Sequence, residues 1–118
     1  MQNKMIEEDY VSLETAKLLE EKGFDWDCKV KKFYPEPDCD PESPNGVYAP
    51  TLQTARKWLI EKYNIHIEVR YFPMSNIYRY VIIHSPAAFK NIDSHPQYFD
   101  KEEEACDAAI KYCLENLI

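Results

Sequence analysis

Ser12-Leu13-Glu14-Thr15-Ala16-Lys17 and Thr51-Leu52-Gln53-Thr54-Ala55-Arg56 state the same helix start twice, and the copies run on through Leu19-Glu20-Glu21-Lys22 and Leu59-Ile60-Glu61-Lys62. A Ser or Thr hydroxyl before an apolar-periodic run accepts a first-turn backbone N–H and so opens a helix. In the first copy Val11 can staple onto Ala16, while Leu13, Ala16 and Leu19 follow helical spacing. Gly23 then supplies a left-handed residue, with Phe24 placed to fold back on Leu19, which predicts a helix over 12–22. In the second copy Leu52, Ala55, Trp58, Leu59 and Tyr63 form a wide apolar face, and Asn64 is the stop signal. Each helix leads into a strand-like segment, so the first two thirds of the chain reads as one helix-strand unit used twice. Internal duplication and convergent capping chemistry both account for the pair.

Trp26, Cys28 and Val30 alternate with Asp27, Lys29 and Lys31, the period of a half-buried strand, which ends near Tyr34. Four prolines, four acids and Asn45-Gly46 mark residues 35–49 as a loop. Ile65, Ile67, Val69 and Tyr71 alternate with His66, Glu68, Arg70 and Phe72, and a turn at Pro73-Met74-Ser75-Asn76 leads to Ile77-Tyr78-Arg79-Tyr80-Val81-Ile82-Ile83-His84, a β-hairpin. Residues 85–99 read as irregular. Asp100 as cap, with Glu103 reaching back, opens a last helix over 101–117 whose buried side carries Cys106, Ala109, Ile110, Cys113, Leu114 and Leu117.

The expected fold is therefore α+β, in the order α-β-α-β-β-α, with a three-stranded sheet packed against three helices. A right-handed crossover around the second helix gives strand order 1-3-2, a truncated ferredoxin-like core; order 1-2-3 stays open. The 118 residues form one domain, with residues 1–9 a flexible N-terminus.

Composition excludes more than it identifies. The net charge is -7: residues 1–25, 35–50 and 100–118 each carry -4, whereas 26–34 and 51–63 each carry +2. Such acidity weakens nonspecific attraction to nucleic acid and anionic membranes. Two glycines in all argue against glycine-rich phosphate loops. Residues 1–9 have no apolar core of the secretory type, and no apolar run is long enough to span a bilayer, so Cys28, Cys39, Cys106 and Cys113 are expected as reduced thiols.

Candidate chemistry is sparse. Cysteines and histidines lack metal-ligand spacing, and Cys28, Cys106 and Cys113 fall on inward phases, where free cysteine packs as a small hydrophobe. Asp38, Asp40, Glu42 and Asn45 imitate a calcium loop, but Ser43 stands where that loop needs glycine, which favours a solvated acidic loop. Acids around Cys39 raise a thiol's pKa instead of activating it. Ser85-Pro86 and Ser94-His95 lack a glycine elbow, and the acid runs Glu7-Glu8-Asp9 and Glu102-Glu103-Glu104 read as solubility and helix-dipole features. No catalytic, metal or cofactor-binding residue is assigned. The speculative binding face is the outward phase of the sheet, with Lys29, Lys31 and Phe33 beside His66, Arg70 and Phe72, and Tyr78 and Tyr80 on the remaining strand; aromatic and basic groups so placed stack and steer single-stranded RNA. The competing, favoured reading buries the last strand on both faces, with helix one covering the second side.

Tyr10-Val11-Ser12, Ala16-Lys17-Leu18-Leu19-Glu20-Glu21-Lys22-Gly23-Phe24, Pro50-Thr51-Leu52-Gln53 with Lys57-Trp58-Leu59, and 103–114 resemble a group of small proteins, without assigned activity, encoded by phages, prophages and mobile elements of Bacteroides-type gut bacteria. The resemblance spans most of the chain apart from the proline-rich loop and 72–99. It implies a bacterial cytoplasm and an accessory role, and it carries no functional residue. The expected function is a non-enzymatic accessory protein, monomer or homodimer, that binds a host or element-encoded protein. A nucleic-acid role, by RNA binding on the sheet or by DNA mimicry through the acidic surface, is the alternative.

Overall fold

Both copies of the opening phrase fold into the same cap. A computed structural model describes residues 9–26, 31–36, 42, 45–84, 90–94 and 97–118. Ser12 Oγ accepts the Thr15 N–H at 3.3 Å and starts α1, Leu13–Glu21. Thr51 Oγ1 accepts the Thr54 N–H at 3.2 Å and starts a second helix, Leu52–Tyr63. The two capping segments also pair: Tyr10 and Thr51 form an antiparallel bridge, closed by Val11 N–H to Pro50 O and Leu52 N–H to Asp9 O. α1 ends as expected. Gly23, at φ +87°, sends its N–H to Glu20 O while the Phe24 N–H reaches Leu19 O, so Phe24 turns back over the last turn. Asn64, at φ 54°, ends the second helix in the same left-handed way.

The first strand departs from expectation. β1 is Lys31–Pro35, and its partner β2, Gly46–Pro50, lies inside the stretch read as loop. Lys31 faces Pro50, Phe33 faces Tyr48 and Pro35 faces Gly46 in an antiparallel hairpin. The main sheet contains β3, Ile65–Phe72, β4, Ile77–His84, and β5, Lys90–Asp93, in order β3-β4-β5. With the helices named α2, Leu52–Tyr63, and α3, Glu102–Asn116, the element order is α-β-β-α-β-β-β-α. Among the described residues strand one pairs with β2 and not with the main sheet, so neither the 1-3-2 nor the 1-2-3 order is formed; the expected ferredoxin-like arrangement is met only in its α+β class, its three helices and the β3–β4 hairpin. The reason is local: β1 has a partner close by in sequence, and pairing with it closes a shorter loop than a crossover does. Each copy of the opening phrase thus heads a helix followed by an antiparallel hairpin.

Described residues of the stretch read as irregular also join the sheet, beyond β5 itself. Phe99 pairs with Tyr78 through two backbone bonds, and Ser94 Oγ takes a ladder position, accepting from Tyr80 N–H and donating to Gln97 O. Because Phe99 is held in the ladder, Asp100 and Lys101 must turn the chain. Lys101, with no side-chain cap bond, is the N-cap, in place of the expected Asp100 and Glu103 pair.

The core lies between the main sheet and the helices. α3 packs on β3 and β4, α2 packs on β3 and α3, and α1 packs on α3 and β2; the consecutive burial of Tyr80, Val81 and Ile82 covers the centre of β4 on both faces as expected, while helix one packs chiefly on α3 and β2. Trp58, Leu19, Leu59, Ile65, Ile82, Ile110 and Leu114 are fully buried in one cluster. Asp107 of α3 ties this core to the first cap. It accepts the Ser12 N–H at 2.8 Å on one oxygen, and the hydroxyls of Ser12 and Thr15 at 2.9 and 3.1 Å on the other. Lys111 adds an exposed bond to Glu14, which holds that carboxyl below its usual pKa. The expectations for residues 1–8, 27–30, 37–41, 43–44, 85–89 and 95–96 lie outside the described residues.

Candidate functional site

The residues of the expected binding face fall in separate places. Lys29 lies outside the described residues, and Lys31 and Phe33 belong to the β1–β2 hairpin, a different sheet from the other candidates. Side chains alternate along a strand, so the register β3–β4 decides the remainder. Val69 faces Tyr80 and Tyr71 faces Tyr78, which puts both tyrosines on the face with Ile65 and Ile67. Tyr80 is 5% exposed, and burial raises its hydroxyl pKa. His66, Arg70 and Phe72 point to the opposite face with Arg79. There Arg70 pairs with Glu68 at 3.1 Å, and Arg79 pairs with Asp93 at 2.6 Å while lying over the Phe72 ring. The two guanidinium groups are thus already matched by carboxylates. Among the described residues, the candidates therefore do not gather on one continuous aromatic and cationic face of the kind that stacks RNA.

Cysteine chemistry is equally closed on α3. Cys106 and Cys113 are buried, and desolvation pushes their thiols up to about 11 and about 12. A thiol held that high is neither a nucleophile nor a ready metal ligand. Among the described residues no three His, Cys, Asp or Glu side chains converge on a point that could hold a metal.

A concave site does exist, between α1 and the β1–β2 hairpin, with a volume of ≈ 350 Å³. α1 contributes Ala16 and Leu19 to its floor and Glu20 to its rim. The Schellman turn at Gly23 brings in Phe24 and then Trp26, whose rings lie 6.3 Å apart. Phe24 is fixed from behind by an edge contact with buried Trp58, centroids 5.5 Å apart. The hairpin supplies Lys31, Gly46, Tyr48 and Pro50. Tyr48 is 60% exposed, yet its ring is steadied by Phe33 at 4.9 Å and by the Lys31 ammonium at 4.7 Å. Gly46 is required there, because a Cβ would fall 2.2 Å from Tyr34 O.

Sequence reasoning placed Phe24 correctly but missed this cleft, since Tyr48 lay in a segment assigned to loop. The available signal was the alternation of Val47 and Ala49 with Gly46 and Tyr48. No family model, curated protein or solved structure matches the chain.

Proposed function

We propose that the protein is a non-enzymatic binding module that docks a segment of another protein in the cleft between α1 and the β1–β2 hairpin. The observation that carries this reading is Tyr48, a large ring left 60% exposed in a cleft whose lining also includes Trp26 and Phe24. Aromatic rings give large contact area at small entropic cost, and Tyr and Trp are the residue types on which protein interfaces concentrate binding energy. Among the described residues the cleft lining contains no cysteine, serine or histidine, and its aromatic and apolar groups suit binding.

The resemblance to accessory proteins of Bacteroides-type phages and mobile elements gives this module a bacterial cytoplasmic setting and a host or element-encoded protein as its partner. No helix among the described residues is long and apolar enough to cross a membrane.

The test is affinity capture from a lysate of such a bacterium, with nuclease in one arm. The wild-type chain should retain a protein after nuclease treatment that Tyr48→Ala does not retain, while Met74→Ala, at the fully exposed tip of the other hairpin, retains it. Loss of all captured material on nuclease treatment, or equal capture by Tyr48→Ala, would sink the docking reading.

A further inference from the structure

We infer that the guest of this cleft is a basic side chain, the guanidinium or ammonium group of a partner protein, which takes the place now held by the chain's own Lys31. The inference rests on the docking reading and adds the chemistry of the guest.

Lys31 itself reports what the site attracts. Its ammonium lies 4.7 Å from the centre of the Tyr48 ring, within the range in which a cation is drawn to an aromatic face. The lining includes two further rings, Phe24 and Trp26, inclined at 40° to each other. Aromatic faces are the negative ends of ring quadrupoles, and the Tyr48 face, already holding one cation in a cleft with three lining rings, favours a positive guest over an anionic one. Glu20 shares the lining and forms no ion pair among the described residues. Its carboxylate is available to a bidentate guanidinium, the pairing that gives such contacts both strength and orientation.

The wider field agrees. The described segment 12–25, which supplies one side of the cleft, carries a net charge of -2, a field that draws in a cation. The resident Lys31 is held by the ring with no carboxylate bonded to it among the described residues, and it sits on an exposed strand, so it can swing into water at little cost. An arginine with flanking apolar residues satisfies the rings, Glu20 and the floor of Ala16 and Leu19 together.

The experiment uses the isotopically labelled full chain titrated with a blocked leucine-arginine-leucine peptide and with its citrulline twin, which keeps the shape and removes the charge. Signals of Tyr48 and Trp26 should shift with the arginine peptide at about one fifth of the concentration the citrulline peptide needs, the ratio one cation–ring contact supplies. Lys31→Met should tighten the arginine peptide and leave the citrulline peptide unchanged; Glu20→Gln should weaken the arginine peptide alone. Both side chains are exposed, and unchanged signals outside the cleft verify the fold of each variant. Equal binding of the two peptides overturns the cationic guest while leaving a docking cleft in place. Absence of cleft shifts with either peptide, or weaker arginine binding after Lys31→Met, also overturns it. Capture that depends on Tyr48 would in those cases still uphold the docking reading, so the two fail separately.

Discussion

Asp107 alone supplies three hydrogen bonds between α3 and the first helix cap. Ser12 Oγ can also donate to Thr15 Oγ1 at 3.0 Å, but the fully buried Thr15 hydroxyl and the Ser12 N–H both lose their acceptor when the carboxylate is removed. Hydrogen bonds to a charged acceptor are stronger than neutral ones, and orphaned donors add their desolvation cost. Asp107→Ala should therefore lower stability by about 2–4 kcal/mol, read as a fall in Tm of about 10 °C, with Asp107→Asn between it and the wild type. The two buried thiols make a second prediction, with a definite sign. In the unfolded chain a thiol ionises near pH ~8.5, whereas Cys106 and Cys113 are raised to about 11 and about 12 by burial. Above pH ~9 the unfolded state loses these protons first, so the contribution present below that pH is lost as pH rises through the folded values. Urea unfolding should show stability falling between pH about 9 and 12, and Cys113→Ala should flatten that fall; an unchanged slope in the variant would contradict the assignment.

At the scale of elements, the hairpin that forms one side of the cleft depends on Gly46. A Cβ there meets the backbone of β1 at Tyr34 O and Pro35 Cα, 2.2 and 2.8 Å away, and no rotamer change can relieve it. Gly46→Ala should destabilise the fold by about 1–3 kcal/mol and abolish cleft binding. Gly23→Ala meets no neighbour and should cost only the left-handed strain, about 1 kcal/mol. Comparing the two by urea melts separates steric clash from backbone strain. The same elements show what the sequence discloses. Ser12, Thr51, Gly23 and Asn64 act through bonds within a few residues, so both helices were legible, and the strict alternation of 65–72 made β3 and its partner legible too. β2 was hidden because the acids and prolines before it dominate the composition, although Val47 and Ala49 alternate correctly. β5 has four residues, and its pairing is dictated by β4, which no local pattern encodes. The cleft was illegible for a related cause: its two walls come from separate elements whose approach is set by the α1–β2 packing.

For the whole molecule, the decisive contacts join the two ends of the chain. Segment 9–12 pairs with 50–52, and Ser12 is bound by a side chain 95 residues away in sequence. Tyr34 strengthens the first junction by donating its hydroxyl to Val11 O at 3.0 Å. α2, β3 and β4 by contrast follow one another and pack together, so they can assemble before either terminus arrives. Closing the longest loop is entropically the least favoured event and is rewarded last. The carboxylate bonds to the first cap are then absent from the rate-limiting barrier and present only after it, which makes Asp107 a latch on the finished structure. In stopped-flow measurements Asp107→Ala should leave the refolding rate nearly unchanged and speed unfolding by about 30-fold or more, since a loss felt only in the native state appears wholly in that limb. A slowed refolding limb would place the closure of the two ends early instead. The bond between Ser12 and Asp107 is thus a determinant of how long the protein lasts once folded, set apart from how quickly it forms.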